Sequence, residues 1–526
     1  ASNDFRSTVN ATGGDVALVD GTGGLTLGNV TATGTLDATS TDGPLEQAAG
    51  TTIAVDGATS LTASDGGDPA TDFDISLDGA NNDFVGTVTA TGKAVTLVDT
   101  NALTAVLAAS GNSTLTAGGN LAVSGSTQDL TTTTTGGGTT SFGATTIGGA
   151  LSATSDGAIS QTGALTVDGT TTLDAGTNAI TLDDASNDFR STVNATGGDV
   201  ALVDGTGGLT LGNVTATGTL DATSTDGPLE QAAGTTIAVD GATSLTASDG
   251  GDPATDFDIS LDGASNDFRS TVNATGGDVA LVDGTGGLTL GNVTATGTLD
   301  ATSTDGPLVQ ALGTIIDVKG TATITASDGG DPARDFDIRL DSADNRFESN
   351  LVARGADVEL RSASDMRADM FASGDLSLRS GGVMILENIL VQGDLALLSR
   401  GDILTAGDVV VFGVVDATSE EGRVVGVGEP YFRSLVPEEQ VPGASGSVLG
   451  PQEAGQAVII RSGEAITVRP ASGLRVARSA LAAGSESTIA MFELDATGAM
   501  TPLPALQLAE RDGDLIIRPL GGAVDA

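Results

Sequence analysis

Residues 1–79 recur without a single change at 185–263. No other feature of this chain constrains its fold as strongly. A segment that can be copied whole must fold into a unit whose neighbours are more of itself, which is the logic of a solenoid and not of a ball. A third copy begins at Ala264, stays identical to Leu308 and then diverges, and a fourth start follows at Ala343. A longer relative, residues 80–184, opens with ANNDFVGTVTATG and separates the two exact copies. The array therefore divides into units 1–79, 80–184, 185–263, 264–342 and 343–425. The long and short units, 105 and 79 residues, differ by 26, close to a third of 79. One added coil of that size accounts for both lengths.

Within a coil the apolar residues alternate with polar ones: Val16-x-Leu18, Leu25-x-Leu27, Leu36-x-Ala38, Ile53-x-Val55 and Phe73-x-Ile75-x-Leu77. A period of two means one buried and one wet face, hence short strands, and Gly, Asn and Asp-Gly mark the turns between them. Thr and Val suit such a pleated surface. Counting these apolar groups along a short unit gives three strands per coil. The expected fold is all-β, a triangular parallel β-helix. The divergent copy supports the inward and outward assignment. Asp56, Thr71 and Ser76, read as outward, become Lys319, Arg334 and Arg339. Inward Ile53, Val55, Leu61, Phe73, Ile75 and Leu77 stay apolar as Ile316, Val318, Ile324, Phe336, Ile338 and Leu340. Glu46 to Val309 and Thr52 to Ile315 fit less well and point to a partly covered face.

Composition agrees with a slim core. There is no Trp, His or Cys, one Tyr (Tyr431), 76 Gly, and only 3% aromatic residues. A hydrophobic fraction of 39% argues against disorder. The net charge of −48 disfavours nucleic acid and anionic lipid as partners, and no apolar run is long enough for a membrane-spanning helix. The first 342 residues hold 7 basic and 43 acidic residues, whereas the remainder holds 14 and 26, so the end of the chain has a different surface. Without Cys there is no disulfide scaffold, which fits an exported bacterial protein. No cap sequence precedes the first coil, an arrangement that fits either end-to-end stacking or a further array upstream.

The strings NDFxxTVxATGGDVxLVD, LTLGNVTATGTLDATSTDG and ISQTGALTVDGTTTLDAGTNAITLDDASNDF resemble the repeats of filamentous haemagglutinin-like exoproteins, over roughly residues 1–425. The resemblance implies a right-handed parallel β-helix, export to the bacterial cell surface by a two-partner route, and a role in adhesion or biofilm structure.

From about Gly426 the pattern changes. Pro430, Pro437, Pro442 and Pro451 mark a linker, and VIIRSGEAITVRP, TIAMFELDATG and LIIRPLGG read as strands. Residues 426–526 are thus expected to form a small β-rich C-terminal cap, or an assembly module whose arginines meet the acidic body of a neighbouring rod.

Absence of His and Cys removes the common nucleophile–base pairs and imidazole or thiolate metal sites. The array also lacks the aromatic and basic residues of a sugar-cleaving cleft, so no catalytic residue and no cofactor is expected. The candidate metal ligands are Asp65, Asp68 and Asp72, recurring as Asp249, Asp252 and Asp256 and as Asp328, Asp331 and Asp335. Oxygen-rich turns suit Ca²⁺, but the spacing matches no standard Ca²⁺ loop, and solvated turn carboxylates explain it as well. Thr-x-Thr strings such as NVTATGT and Thr131–Thr135 are similar to those of ice-binding solenoids, yet read as irregular from coil to coil. Asn10-Ala-Thr and Asn29-Val-Thr read as turn asparagines. The expected function is a non-catalytic extracellular filament or adhesin shaft that self-associates end to end or side by side, with a host or neighbouring cell as a further partner. The alternative is a ligand- or Ca²⁺-binding surface protein that recognises a partner through its C-terminal region.

Overall fold

Alternating side chains with Gly and Asn punctuation leave the chain little choice but short strands, and the structure consists of almost nothing else. A computed structural model describes residues 3–422, apart from Asp68, 252–255, 331–333 and 413–414, and beyond these the backbone of six strands. The chain forms two compact units, residues 1–270 with 275–277 and residues 271–274 with 278–526. Both are parallel β-solenoids, with about 20 turns between them.

In the first unit the chain shuttles between two sheets. In one, Val16–Asp20 pairs with Leu36–Ser40, that strand with Thr59–Ala63, and the next with Val88–Gly92. In the other, Leu25–Ala32 pairs with both Leu45–Gln47 and Ile53–Val55, and these carry Ile75–Leu77 and Asp83–Phe84. Coils are of unequal length. The short kind brings Val88 beside Ala105 and Val16 beside Leu36. The long kind includes the acidic turn and brings Leu45 beside Ile75 and Val88 beside Thr59.

The solenoid is the expected one, but its expected uniform three-strand coil is corrected. Three strands per coil do occur, as in Leu45–Gln47, Ile53–Val55 and Thr59–Ala63. In the preceding coil Leu25–Ala32 is one bent strand that lies against two short ones, so counting apolar groups overcounts the sheet crossings. A short unit makes seven passes, or three and a half coils. The half coil has a consequence for the surface. Val16–Asp20 and its counterpart one repeat later, Val95–Asp99, lie in different sheets. The second unit does the same: Val279–Asp283 pairs with Leu299–Ser303, whereas its counterpart Val358–Ser362 follows Ile338–Leu340 in the other sheet.

The interior is a narrow stack of Leu, Val, Ile and Ala, with Phe84, Phe142, Phe189, Phe268 and Phe347 as its bulkiest members. Ile53, Val55, Leu61, Ile75 and Leu77 point inward as expected. Phe73 does not: it is half-buried, and Asp72 beside it is buried instead. The short 3-10 turn Pro69–Thr71 breaks the two-residue alternation just before it. Outward Lys319, Arg334 and Arg339 are exposed as read. A bulge between Val123 and Gly125 uses Gly125 at φ 106°, where a Cβ would run into the Leu107 carbonyl.

Beyond residue 422, Val424–Gly426 and Phe432–Ser434 still pair in parallel with Ile403–Thr405 and Val409–Val411, and antiparallel pairing follows. Val458–Ser462 is parallel to Val415–Ser419 but antiparallel to Asp514–Pro519, which continues an antiparallel set with Met500–Arg511 and Glu486–Leu494. The rest of 426–526, and with it the choice between cap and assembly module, lies outside the described residues.

Candidate functional site

Each repeat contains a polar staple where the chain could otherwise open. Asn187 is fully buried, and its Oδ1 accepts from Gln161 Nε2 at 2.8 Å and from Leu165 N at 2.9 Å. Its Nδ2 donates to Gln161 Oε1 at 2.9 Å and to the carbonyls of Leu182 and Val203 at 3.2 Å. The same reciprocal amide pair joins Gln47 to Asn82, Gln231 to Asn266 and Gln310 to Asn345. A buried aspartate completes it. Asp204 accepts from Phe189 N at 3.0 Å and Thr206 N at 2.8 Å, and burial pushes its carboxyl up to about 6. Asp99 holds Phe84 N and Asn101 N in the same way, with its carboxyl also raised by burial. Sequence reading missed this set. Its signal was a Gln 35 residues before the Asn of three NDF or DNRF strings and 26 residues before that of the fourth. The sequon asparagines are structural too: Asn10 Oδ1 accepts from Asn29 N, and Asn29 Oδ1 from Thr52 N.

The acidic turns are only partly a cluster. Asp65, Asp249 and Asp328 each fold back on their own turn and accept from Gly67, Gly251 and Gly330 N at 2.8 Å. Asp68, Asp252 and Asp331 lie outside the described residues. Among the described residues no three carboxylates converge on a common point. The third members differ. Asp256 is half-buried. Asp335 is buried and lies 3.4 Å from the guanidinium of Arg354, which stacks 5.5 Å from the Phe371 ring. Asp72 is equally buried, but Thr91 stands in the register place of Arg354, and Asp72 Oδ1 has no hydrogen-bond partner. A buried carboxylate oxygen without a donor is costly, and one copy answers that cost with an arginine while the other does not.

The outer faces carry the remaining chemistry. In the first unit, strands Val95–Asp99, Ser113–Ala117, Leu130–Thr134, Leu151–Thr154 and Thr171–Asp174 stack without a register shift. Their outward residues form columns of Thr and Ser, so the irregularity expected of the Thr strings is corrected here: loops of unequal length hide an even register. In the second unit the outward columns turn apolar. Phe371 aligns with Leu390 and Val410, and Arg367 with Ile385 and Leu404. A shallow recess at Asp188, Arg190, Thr206 and Thr210 offers little, because Arg190 is already bound by Asp168 at 2.7 Å and Asp188 at 2.6 Å.

Stacked two-sheet coils, internal amide staples and copied outer faces define a repeat β-solenoid protein. Within that class the chain belongs to the family of repeats of unknown function (DUF5649), which matches residues 13–91, 127–196, 197–275 and 276–354. The last two matches share the period of the exact copies, and residues 92–126 fall between matches. No curated protein and no solved structure matches the chain.

Proposed function

We propose that the chain is a length of non-catalytic shaft in an extracellular bacterial filament or adhesin of the filamentous haemagglutinin-like kind. The observation that carries this reading is the staple. Every copy rebuilds the same Asn–Gln lock, whether it winds three and a half coils or, in the long unit, five and a half, so copying adds length without adding a new interior. The half coil also presents each copied outer residue on alternate sides, which suits a shaft that bonds neighbours side by side. The apolar columns through Leu390 and Leu404 supply a surface for that self-association. Cell-surface location and adhesion follow from the repeat resemblance and the cysteine-free, acidic composition. Small-angle scattering tests the shaft directly. Deleting residues 185–263 from the full chain should shorten its longest dimension by about 17 Å, three and a half strand spacings, at constant cross-section. An unchanged longest dimension with a changed cross-section would sink the idea.

A second reading rests on Asp72. Its open Oδ1 supports a Ca²⁺ site at the first acidic turn, where the later copy uses Arg354. Calcium should then raise the melting temperature of the full chain, EGTA should reverse the rise, and Thr91→Arg should abolish it. Melting that ignores both reagents removes this reading and leaves the shaft untouched.

A further inference from the structure

The long unit, residues 80–184, carries a surface that the exact copies lack. Two outward columns run along one sheet in continuous register: Thr96, Thr114, Thr131, Ser152 and Thr172, and beside them Val98, Thr116, Thr133, Thr154 and Asp174. Hydroxyls occupy eight of these ten places. Thr114, Thr131, Ser152, Thr154 and Thr172 are exposed, and Thr96, Thr116 and Thr133 are half-buried. Among the described residues none of the eight hydroxyls is tied into an intramolecular hydrogen bond. Charge is nearly absent: between Thr100 and Ser155 the only charged residue is Asp129, in a chain of net charge −48. The opposite sheet of the same coils is interrupted by the bulge at Val123–Gly125. Elsewhere the outward columns are broken by charge, as at Asp37 beside Ser60 and Glu46 beside Ser76.

Such a face is a rectangular net. Neighbouring rows lie about 4.8 Å apart along the stack, and outward residues within a strand about 6.7 Å apart. Eight of the ten nodes offer a hydroxyl that both donates and accepts, with Val98 and Asp174 at the other two, and each Thr adds a methyl that excludes loose water. The backbone ladders hold the nodes stiffly. A charged side chain would orient water around itself and break the net, and here the one charge in the two columns is Asp174, in their last row. A globular protein or a nucleic acid does not present a net of this kind over five rows; a crystal of water does.

We propose that the hydroxyl columns of residues 96–174 bind ice. The shaft and this face are separable, because the reading of the shaft rests on the staples and this one on the outward residues of a single unit.

The test uses the full chain. Thermal hysteresis and the shape of a single ice crystal are measured for the wild type, for Thr116→Lys/Thr133→Lys, and for Ser124→Lys on the opposite sheet. Circular dichroism and melting verify that all three are folded. The wild type and Ser124→Lys should hold a freezing-point gap and facet the crystal, and the double variant should fall to the level of buffer. Folded wild-type protein that neither shapes ice nor holds a gap overturns the proposal. So does an undiminished gap in the double variant, or retention on crystalline polysaccharide without any effect on ice.

Discussion

The coils of residues 185–263 and those of 343–419 solve the same stacking problem by different means. The first region locks its turns with buried polar groups, Asn187 with Gln161, Asn266 with Gln231, and Asp204 over Phe189, around modest Val, Leu and Ala side chains. The second has Ser362 where the first has Asp204, and fills its interior with Met366, Met370, Met384, Ile389 and Ile403. Outside, Thr and Asp give way to Phe371, Ile385, Leu390 and Leu404. A staple demands the same Gln and Asn in each copy, and it persists where the sequence around it has drifted, as at Gln310 and Asn345. A region held by bulk can drift, because hydrophobic residues of about the right size substitute for one another.

The sharpest way to break this contrast is Asn187→Leu. It deletes five hydrogen bonds, leaves Leu165 N–H buried without its acceptor and leaves the Gln161 amide with only its bond to the Gly163 carbonyl. A loss on the order of 4 kcal/mol is expected from these lost bonds, read as a lowered denaturant midpoint for the first unit. A loss under about 1 kcal/mol would mean that packing, and not the staple, holds these coils too. In the second region the matching blow is Met384→Ala, a fully buried side chain whose removal should cost about 3 kcal/mol. If that coil shrugs off the cavity, bulk is not its support.

Next comes Arg354→Ala. It strands the buried Asp335 carboxylate and removes the stack on Phe371. Because the arginine itself is partly exposed, the expected cost is about 2 kcal/mol, below that of a fully buried pair. The reciprocal change, Thr91→Arg, should stabilise the first repeat by up to about 1 kcal/mol by giving Asp72 the missing donor. Opposite signs for the two variants in thermal melts support the register equivalence of Thr91 and Arg354. Equal signs refute it.

Much of this was legible beforehand, and for a physical reason. Alternation reports which face is dry wherever the strand is straight, so Ile53, Val55 and Leu61 were assigned correctly. It fails where the backbone turns. Phe73 was misplaced because the Pro69–Thr71 turn shifts the phase and buries Asp72. Coil length was misjudged because the bend in Leu25–Ala32 makes one strand look like two. Equal register across unequal loops cannot be seen in a string of letters, which is why the Thr columns stayed hidden. The Asn–Gln lock was visible only as a recurring interval, and a recurring interval in an exact repeat carries no independent signal.

The smallest expected effect concerns pH and separates the two regions by chemistry alone. Burial raises Asp204 from its ordinary 3.8 to about 6, and raises Asp99 for the same reason. A carboxyl whose folded value lies above its unfolded value makes the fold bind extra protons between those two points. Its contribution is therefore full below about pH 4 and falls as pH rises through about 6. Ser362, at the equivalent place in the second region, has only a hydroxyl 3.3 Å from Ser364 and does not titrate. Melting the full chain from pH 4 to 7.5 should show the transition of the first unit sliding down by about 1–2 °C. Asp204→Asn should melt lower at every pH, since one amide hydrogen now faces Phe189 N or Thr206 N, yet its slope through pH 6 should flatten. An unaltered slope in that variant would show that general repulsion among the surface carboxylates, and not this buried group, sets the pH response of the stapled coils.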